Sequence, residues 1–174
     1  MPNHVMNRIT FECDDKEKLN KFLDSIMTKD ELDFCKIIPQ PEKREDCPEE
    51  YLVTPNSHIM PDEQKPWFDW YKWQTENWGT KWNSYCNNRN GNILEFQTAW
   101  SPPTPIIDKL AEMCKFNKIN FEYLWSEEQL SMYGGFARLN GDEYYTCEYE
   151  EGSDDMRELA KELWGYSWDE EYDE

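Results

Sequence analysis

The sequence predicts an α+β fold with helices packed on one face of a sheet. Three observations lead there. Period-two apolar alternation recurs along the chain, as in "VMNRITFEC" (5–13) and "KINFEYLWSEE" (118–128). Segments with apolar residues at helical spacing lie between or after such stretches, as in 101–116 and 153–165. Asn90-Gly91 and Asn140-Gly141 are strong hairpin signals. Helices distributed among paired strands are the pattern of an α+β domain.

In chain order, Val5, Asn7, Ile9, Phe11 and Cys13 face one side of a first strand. "DDKEKLNKFLDSIMTKDEL" (14–32) reads as a helix, with Asp14 or Asp15 as its cap and Leu19, Phe22, Leu23 and Ile26 as its stripe. "FCKIIPQPE" (34–42) reads as a short apolar strand stopped by Pro39 and Pro41. Residues 43–66 hold four prolines and no steady period, so a long loop is expected. Pro66 suits the start of a helix over "WFDWYKWQTENW", which Gly79 ends. "TKWNSYC" (80–86) and "NILEFQTAW" (92–100) are the arms of the first hairpin, with Leu94, Phe96, Thr98 and Trp100 alternating onto one face. Ser101 and the following prolines open a helix whose stripe is Ile106, Ile107, Leu110 and Met113 or Cys114. Ile119, Phe121, Tyr123 and Trp125 alternate in the next strand, and 133–151 hold the second hairpin. Ser153 caps a last helix, striped by Met156, Leu159, Ala160, Leu163 and Trp164 and ended by Gly165, and 166–174 form an acidic end.

The 174 residues suffice for one core without staples. Aromatics make up 16% of the chain although its mean hydropathy is −1.01, which argues for a ring-built core under a charged surface rather than for disorder. The formal charge is −19. Such a surface repels phosphates and anionic membranes, so direct nucleic-acid and membrane binding are disfavoured, while a basic partner is attracted. The start shows no signal-peptide pattern and no apolar stretch approaches spanning length, so a cytoplasmic chain with reduced thiols is expected. The six cysteines form no C-x-x-C pair and the only histidines are His4 and His58, which leaves no zinc pattern.

Five of the nine tryptophans fall within residues 67–82. They are either core or a stacking surface. Trp78, Trp82 and Trp100 read as core, because Gly79 breaks the helix, Trp82 lies on the next strand and Trp100 ends its hairpin partner. Among Trp67, Trp70 and Trp73, on a helix with rings on more than one side, one is free to act as a partner anchor.

"MPNHVMNRITF", "FCKIIPQPE", "WGTKWNSY", "FQTAWSPPTPII" and "FEYLWSEEQLSMYGGF" occur in this order, and together they resemble phage and plasmid proteins with the YubB-type ferredoxin-like domain. The resemblance covers roughly residues 1–147, with W-G-T-K-W-N and T-A-W-S-P-P its most specific parts. It implies a ferredoxin-like sandwich, mostly antiparallel, encoded by a mobile element and acting inside a bacterial host cell. It carries over no catalytic residue or ligand. The expected organisation is a ferredoxin-like domain at 1–147, with the proline-rich loop at 43–66, and an acidic C-terminal helix and tail at 148–174.

Chemistry-bearing motifs are sparse. There is no G-x-S-x-G elbow and no cysteine-histidine pair close in sequence, so no catalytic residue is assigned. Gly134-Gly135 without a P-loop pattern reads as a bulge or turn. Asp14-Asp15, Asp154-Asp155 and Asp169-Glu170-Glu171 lack a calcium-loop pattern and read as caps or solvated runs, so no metal or cofactor is expected. Residues 142–174 stand out, with fourteen acids against Arg157 and Lys161, interleaved with tyrosines and tryptophans. Such a surface can occupy a groove built for nucleic acid, carboxylates standing for phosphates and rings for bases. The expected function is therefore a non-enzymatic interaction protein that blocks a basic, nucleic-acid-binding host defence protein, such as a nuclease or CRISPR effector. The residues expected to carry it are Glu148, Glu150, Glu151, Asp154, Asp155, Trp168, Asp169, Glu170 and Glu171. Two other readings stay open: a metal-dependent enzyme on a nucleotide or nucleic-acid product, and a plain oligomerising domain, homodimeric for example.

Overall fold

The computed structural model describes residues 3–53, 68–128 and 133–165. It has a six-stranded antiparallel sheet with strands β1 (His4–Glu12), β4 (Tyr85–Asn90), β5 (Ile93–Ala99), β6 (Asn120–Glu127), β7 (Gly134–Asn140) and β8 (Glu143–Glu148), in the spatial order β4-β5-β1-β6-β7-β8. Helices α1 (Lys16–Ile26) and α4 (Thr104–Asn117) connect β1 to the first hairpin and that hairpin to β6. Strand, helix, hairpin, helix, strand, with β5, β1 and β6 adjacent, is the ferredoxin-like arrangement expected from the sequence. The second hairpin, β7 and β8, widens the sheet beyond β6.

The main core lies between the sheet and α1 and α4. Val5, Ile9 and Phe11 of β1, Leu94 and Phe96 of β5, and Phe121, Tyr123 and Trp125 of β6 meet Leu19, Phe22, Leu23 and Ile26 of α1 and Ile106, Ile107 and Leu110 of α4. Asp15 caps α1 by accepting from the Lys18 amide at 3.0 Å. Asn7 is polar but sits fully buried on the apolar face of β1. Its side chain accepts from the Tyr123 hydroxyl at 2.6 Å and donates to Thr98 Oγ1 at 3.1 Å, so the three central strands share one closed polar network.

Helix α5 (Asp154–Trp164) packs on the opposite face of the sheet. Its buried stripe is Met156, Leu159, Ala160 and Leu163, as its spacing predicts. Trp164 Nε1 donates to Ser126 Oγ at 3.0 Å, and Arg8 binds Glu162 at 2.7 Å. The Gly134-Gly135 pair makes close approach available at both neighbours. A Cβ on Gly134 would stand 2.6 Å from Met156 Sδ, and one on Gly135 would stand 2.3 Å from the Cys147 carbonyl oxygen. These glycines therefore seat α5 and β8, without any bulge at that point in the register of β7.

The structure corrects several expected elements. Residues 27–32 are not helix but a small hairpin, β2 (Met27–Thr28) with β3 (Glu31–Leu32), turned by Lys29 and Asp30 at φ 52° and 65°. Two consecutive left-handed residues match a two-residue turn of the primed type. The expected strand in 34–42 is a one-turn helix, α2 (Phe34–Ile37). Asp33 accepts from the Cys35 amide at 3.0 Å, and that cap outweighs the strand propensity of two isoleucines. The first arm of the main hairpin lies later than the expected 80–86: β4 begins at Tyr85 and runs through Asn90, so the turn is the two residues Gly91 and Asn92, and Thr80 to Ser84 are not strand. Residues 44–46 and 49–51 form 3₁₀ turns within the proline-rich stretch, of which residues 54–66 lie outside the described residues, as does Trp67. Helix α3 (Trp70–Asn77) follows, capped by Asp69.

Burial pushes the Cys114 thiol on α4 up from its ordinary value of 9.0 to about 12. The folded state thus holds this proton more tightly than the unfolded chain. The associated stability is fully present below pH 9 and is lost as pH rises from 9 towards 12. Denaturant unfolding should show a loss of about 1 kcal/mol from this group between pH 9 and 10. The loss should be absent in Cys114→Ala; an unchanged slope in that variant would assign the alkaline loss elsewhere.

Candidate interaction surface at one end of the sheet

Antiparallel pairing brings six strand ends to one rim. Tyr85 lies opposite Gln97, His4 opposite Ala99, Val5 opposite Glu127, Ser126 opposite Gly134, and Gly135 opposite Glu148. Across six strands this rim spans about 24 Å, from the known strand spacing. Its β4–β5 end is aromatic and its β8 end is acidic.

The aromatic end is built by the two most specific sequence motifs. In "WGTKW", Trp78 is buried against Phe34 and Trp73, with ring centroids 5.8 and 5.5 Å away, and its Nε1 donates to the Ile38 carbonyl at 2.9 Å. Gly79 then turns the chain at φ 79°, and a Cβ there would meet Pro105 Cδ at 2.7 Å. Buried Thr80 donates to the Ala99 carbonyl at 2.9 Å, which joins this motif to "TAWSPP". The next residues project outward. Lys81 Nζ lies 4.8 Å from the Trp82 ring, 4.7 Å from the Trp100 ring and 5.8 Å from the Tyr71 ring. These distances are those of cation–π contacts. Among the described residues Lys81 makes no ion pair.

Trp82 and Trp100 are 39% and 46% exposed, and Tyr71 is 44% exposed, so the expectation that Trp82 and Trp100 are core is corrected. The alternation Leu94, Phe96, Thr98 stops because β5 ends at Ala99, which is buried. Trp100 takes φ 71°, a left-handed conformation costly for a bulky side chain, while its amide donates to the Asn3 carbonyl at 2.9 Å. Of the helical tryptophans read as ambiguous, Trp73 is buried and Trp70 packs partly against the core; the exposed ring of that helix is Tyr71.

The middle of the rim is polar. His4 Nδ1 and the Tyr85 hydroxyl lie 2.7 Å apart, a contact between the starts of β1 and β4. Desolvation, followed by the negative charge of Cys86 and Glu128, pushes the Tyr85 phenol up to about 12. Glu127 accepts from Asn3 Nδ2 at 2.7 Å, and Glu128 accepts from the His4 amide at 3.2 Å. At the acidic end, Glu148, Glu150, Glu151, Asp154 and Asp155 are all exposed. Glu148 accepts from the Tyr133 hydroxyl at 3.3 Å, and Ser153 caps α5 just before Asp154 and Asp155, whose charges suit a helix start. Trp168, Asp169, Glu170, Glu171 and His58 lie outside the described residues.

Among the described residues, no three His, Cys, Asp or Glu side chains are grouped to hold a metal ion, and no helix is long and apolar enough to cross a membrane. The sequence reading singled out the acidic end of the rim and missed the aromatic cage as a site. The available signal was Lys81 itself, a base set between rings in a strongly acidic chain; the turn at Trp100 left no periodic trace.

No curated protein and no solved structure matches the chain. A family model matches residues 77–171, a stretch that contains both cage motifs, the second hairpin and α5. That match covers more than half of the chain, which therefore belongs to the family described as the ferredoxin-like domain in Api92-like protein.

Proposed function

We propose that this is a non-enzymatic interaction protein that binds a basic, nucleic-acid-binding surface of a host defence protein and blocks it. One observation supports the reading above the others. Glu148, Glu150, Glu151, Asp154 and Asp155 stand exposed around the junction of β8 and α5, and α5 is anchored by its buried stripe and by the Trp164–Ser126 bond. The carboxylates are therefore displayed from folded backbone, which lowers the ordering cost that a disordered acidic tail pays on binding. The formal charge of −19 adds long-range attraction to a basic partner. The resemblance to phage and plasmid proteins supplies the setting, since mobile elements gain from blunting host defence.

The test is affinity capture from bacterial lysate at low and high salt, followed by a nucleic-acid-binding assay on the captured protein. The expected result is a basic protein, released by salt, that loses its nucleic acid as the chain is added. A captured protein that keeps its nucleic acid in the presence of excess chain overturns the blocking reading. Neutralising the five acids (E148Q, E150Q, E151Q, D154N, D155N) should weaken capture by ~2–3 kcal/mol, or about 30- to 150-fold, at roughly 0.5 kcal/mol per exposed pair. Unchanged affinity in a folded five-fold variant would show that these carboxylates are not the contact.

A further inference from the structure

We propose that Tyr71, Trp82 and Trp100 form a cation site in which Lys81 is a resident occupant, and that a lysine or arginine side chain of the partner displaces it. The inference rests on the basic-partner reading above and adds a second, chemically different contact at the other end of the rim.

Four observations carry it. The rings already hold an ammonium: Lys81 Nζ sits within 5.8 Å of all three centroids, and within 4.8 Å of the two indoles. Tyr71, Trp82 and Trp100 are all exposed residues, so the cage opens outward rather than closing into the core. Trp100 reaches the cage only by holding φ at 71°, although the strand before it delivers alternate residues to the core. Backbone strain at this exposed ring is not offset by full burial of the side chain, which leaves room for a task other than packing. Finally, the sign of the guest follows from the rings and from the chain that carries them. A guest at the cage mouth meets electron-rich π faces on a chain of formal charge −19, which favours a cation and disfavours a phosphate.

Lys81 fits the role of a tethered placeholder. It fills the cage in the free protein, offsets the electron-rich ring faces and makes no ion pair among the described residues. An external cation must displace it. If the cage is self-occupied nine-tenths of the time, the apparent affinity for a guest is lowered about ten-fold. Removing the Lys81 ammonium should therefore strengthen binding of a cation, whereas loss of a favourable surface charge would weaken it for an anion.

The first arm of the test titrates tetramethylammonium chloride into the full chain, with 3,3-dimethyl-1-butanol as the neutral isostere and sodium chloride as the salt control. The indole Nε1–H signals of Trp82 and Trp100 report occupancy, assigned with W82F and W100F. The expected result is weak, selective shifts in the native chain and about ten-fold tighter binding in Lys81→Ala. Equal shifts with the neutral isostere, or no gain in Lys81→Ala, overturn the proposal. The second arm uses an octa-arginine peptide with Trp82→Ala/Trp100→Ala and, separately, with the five-acid variant. The expected result is at least a ten-fold loss in each. Binding lost only in the five-acid variant overturns the cage and leaves the acidic reading standing. Tetramethylammonium binding without any peptide binding overturns displacement by a basic partner and removes that reading. An oligothymidylate strand that engages the two indoles more tightly than the peptide overturns the choice of a cationic guest.

Discussion

Trp78→Ala is expected to lower the free energy of unfolding by about 4–5 kcal/mol, while Trp82→Ala and Trp100→Ala each change it by ~1 kcal/mol or less. The three residues look alike in sequence and differ in what surrounds them. Trp78 is 1% exposed, wedged edge-on between Phe34 and Trp73, and its indole N–H is satisfied by the Ile38 carbonyl. Truncation removes a large buried area, leaves a cavity that the turn at Gly79 cannot close, and orphans one carbonyl. Against a total stability of roughly 5–15 kcal/mol for a domain, that loss brings the chain near to unfolding. Trp100 offers the opposite case. Its φ of 71° costs roughly 1–2 kcal/mol for a residue with a Cβ, so Trp100→Gly should be neutral or stabilising. Denaturant melts of the four variants decide the matter. A Trp100→Ala chain as unstable as Trp78→Ala would show that the exposed ring is structural after all, and would undercut its assignment to a binding cage.

Much of the architecture was legible because it depends on periodicity. The β1 alternation of Val5, Ile9 and Phe11, the α4 stripe of Ile106, Ile107 and Leu110, and the Ser153 cap before the Met156–Leu163 stripe all appear where their spacing places them. The two Asn-Gly pairs locate both hairpins of the main sheet. What was not legible depends on backbone conformation at single residues. Nothing in the composition of "TAWSPP" states that Trp100 turns left-handed and leaves the alternation, and nothing in "DFCKI" states that the Asp33 side chain caps a turn of helix. The acidic end of the candidate surface was visible as a run of charge. The aromatic end was not, because it joins Tyr71, Lys81, Trp82 and Trp100 from a helix, a turn and a strand end, and tertiary contacts such as the Thr80–Ala99 and Ser101–Gly79 hydrogen bonds and the Tyr71–Trp100 ring contact bring those segments together.

Asn7→Leu is expected to cost about 3–4 kcal/mol, and the double variant Asn7→Leu/Tyr123→Phe markedly less, about 1–2 kcal/mol. Asn7 is fully buried and Tyr123 is 2% exposed. With Asn7 gone, the Tyr123 hydroxyl loses the acceptor that it holds at 2.6 Å, and the Val5 and Phe96 carbonyls lose an amide donor at 2.9 and 3.3 Å. A buried polar atom left without a partner costs ~1–3 kcal/mol, whereas removing donor and acceptor together avoids most of that penalty. The network also reaches the rim. Asn7 donates to Thr98, and Thr98 Oγ1 donates to the Ser101 carbonyl at 2.8 Å, immediately after Trp100. The single variant should therefore move the Trp100 indole signal as well as the melting midpoint, and the double variant should recover more of the stability than of the indole position. If Tyr123→Phe instead adds its full penalty to that of Asn7→Leu, the two side chains are not coupled. The fixed geometry of the cage would then rest on the Thr80–Ala99, Ser101–Gly79 and Trp100–Asn3 hydrogen bonds instead.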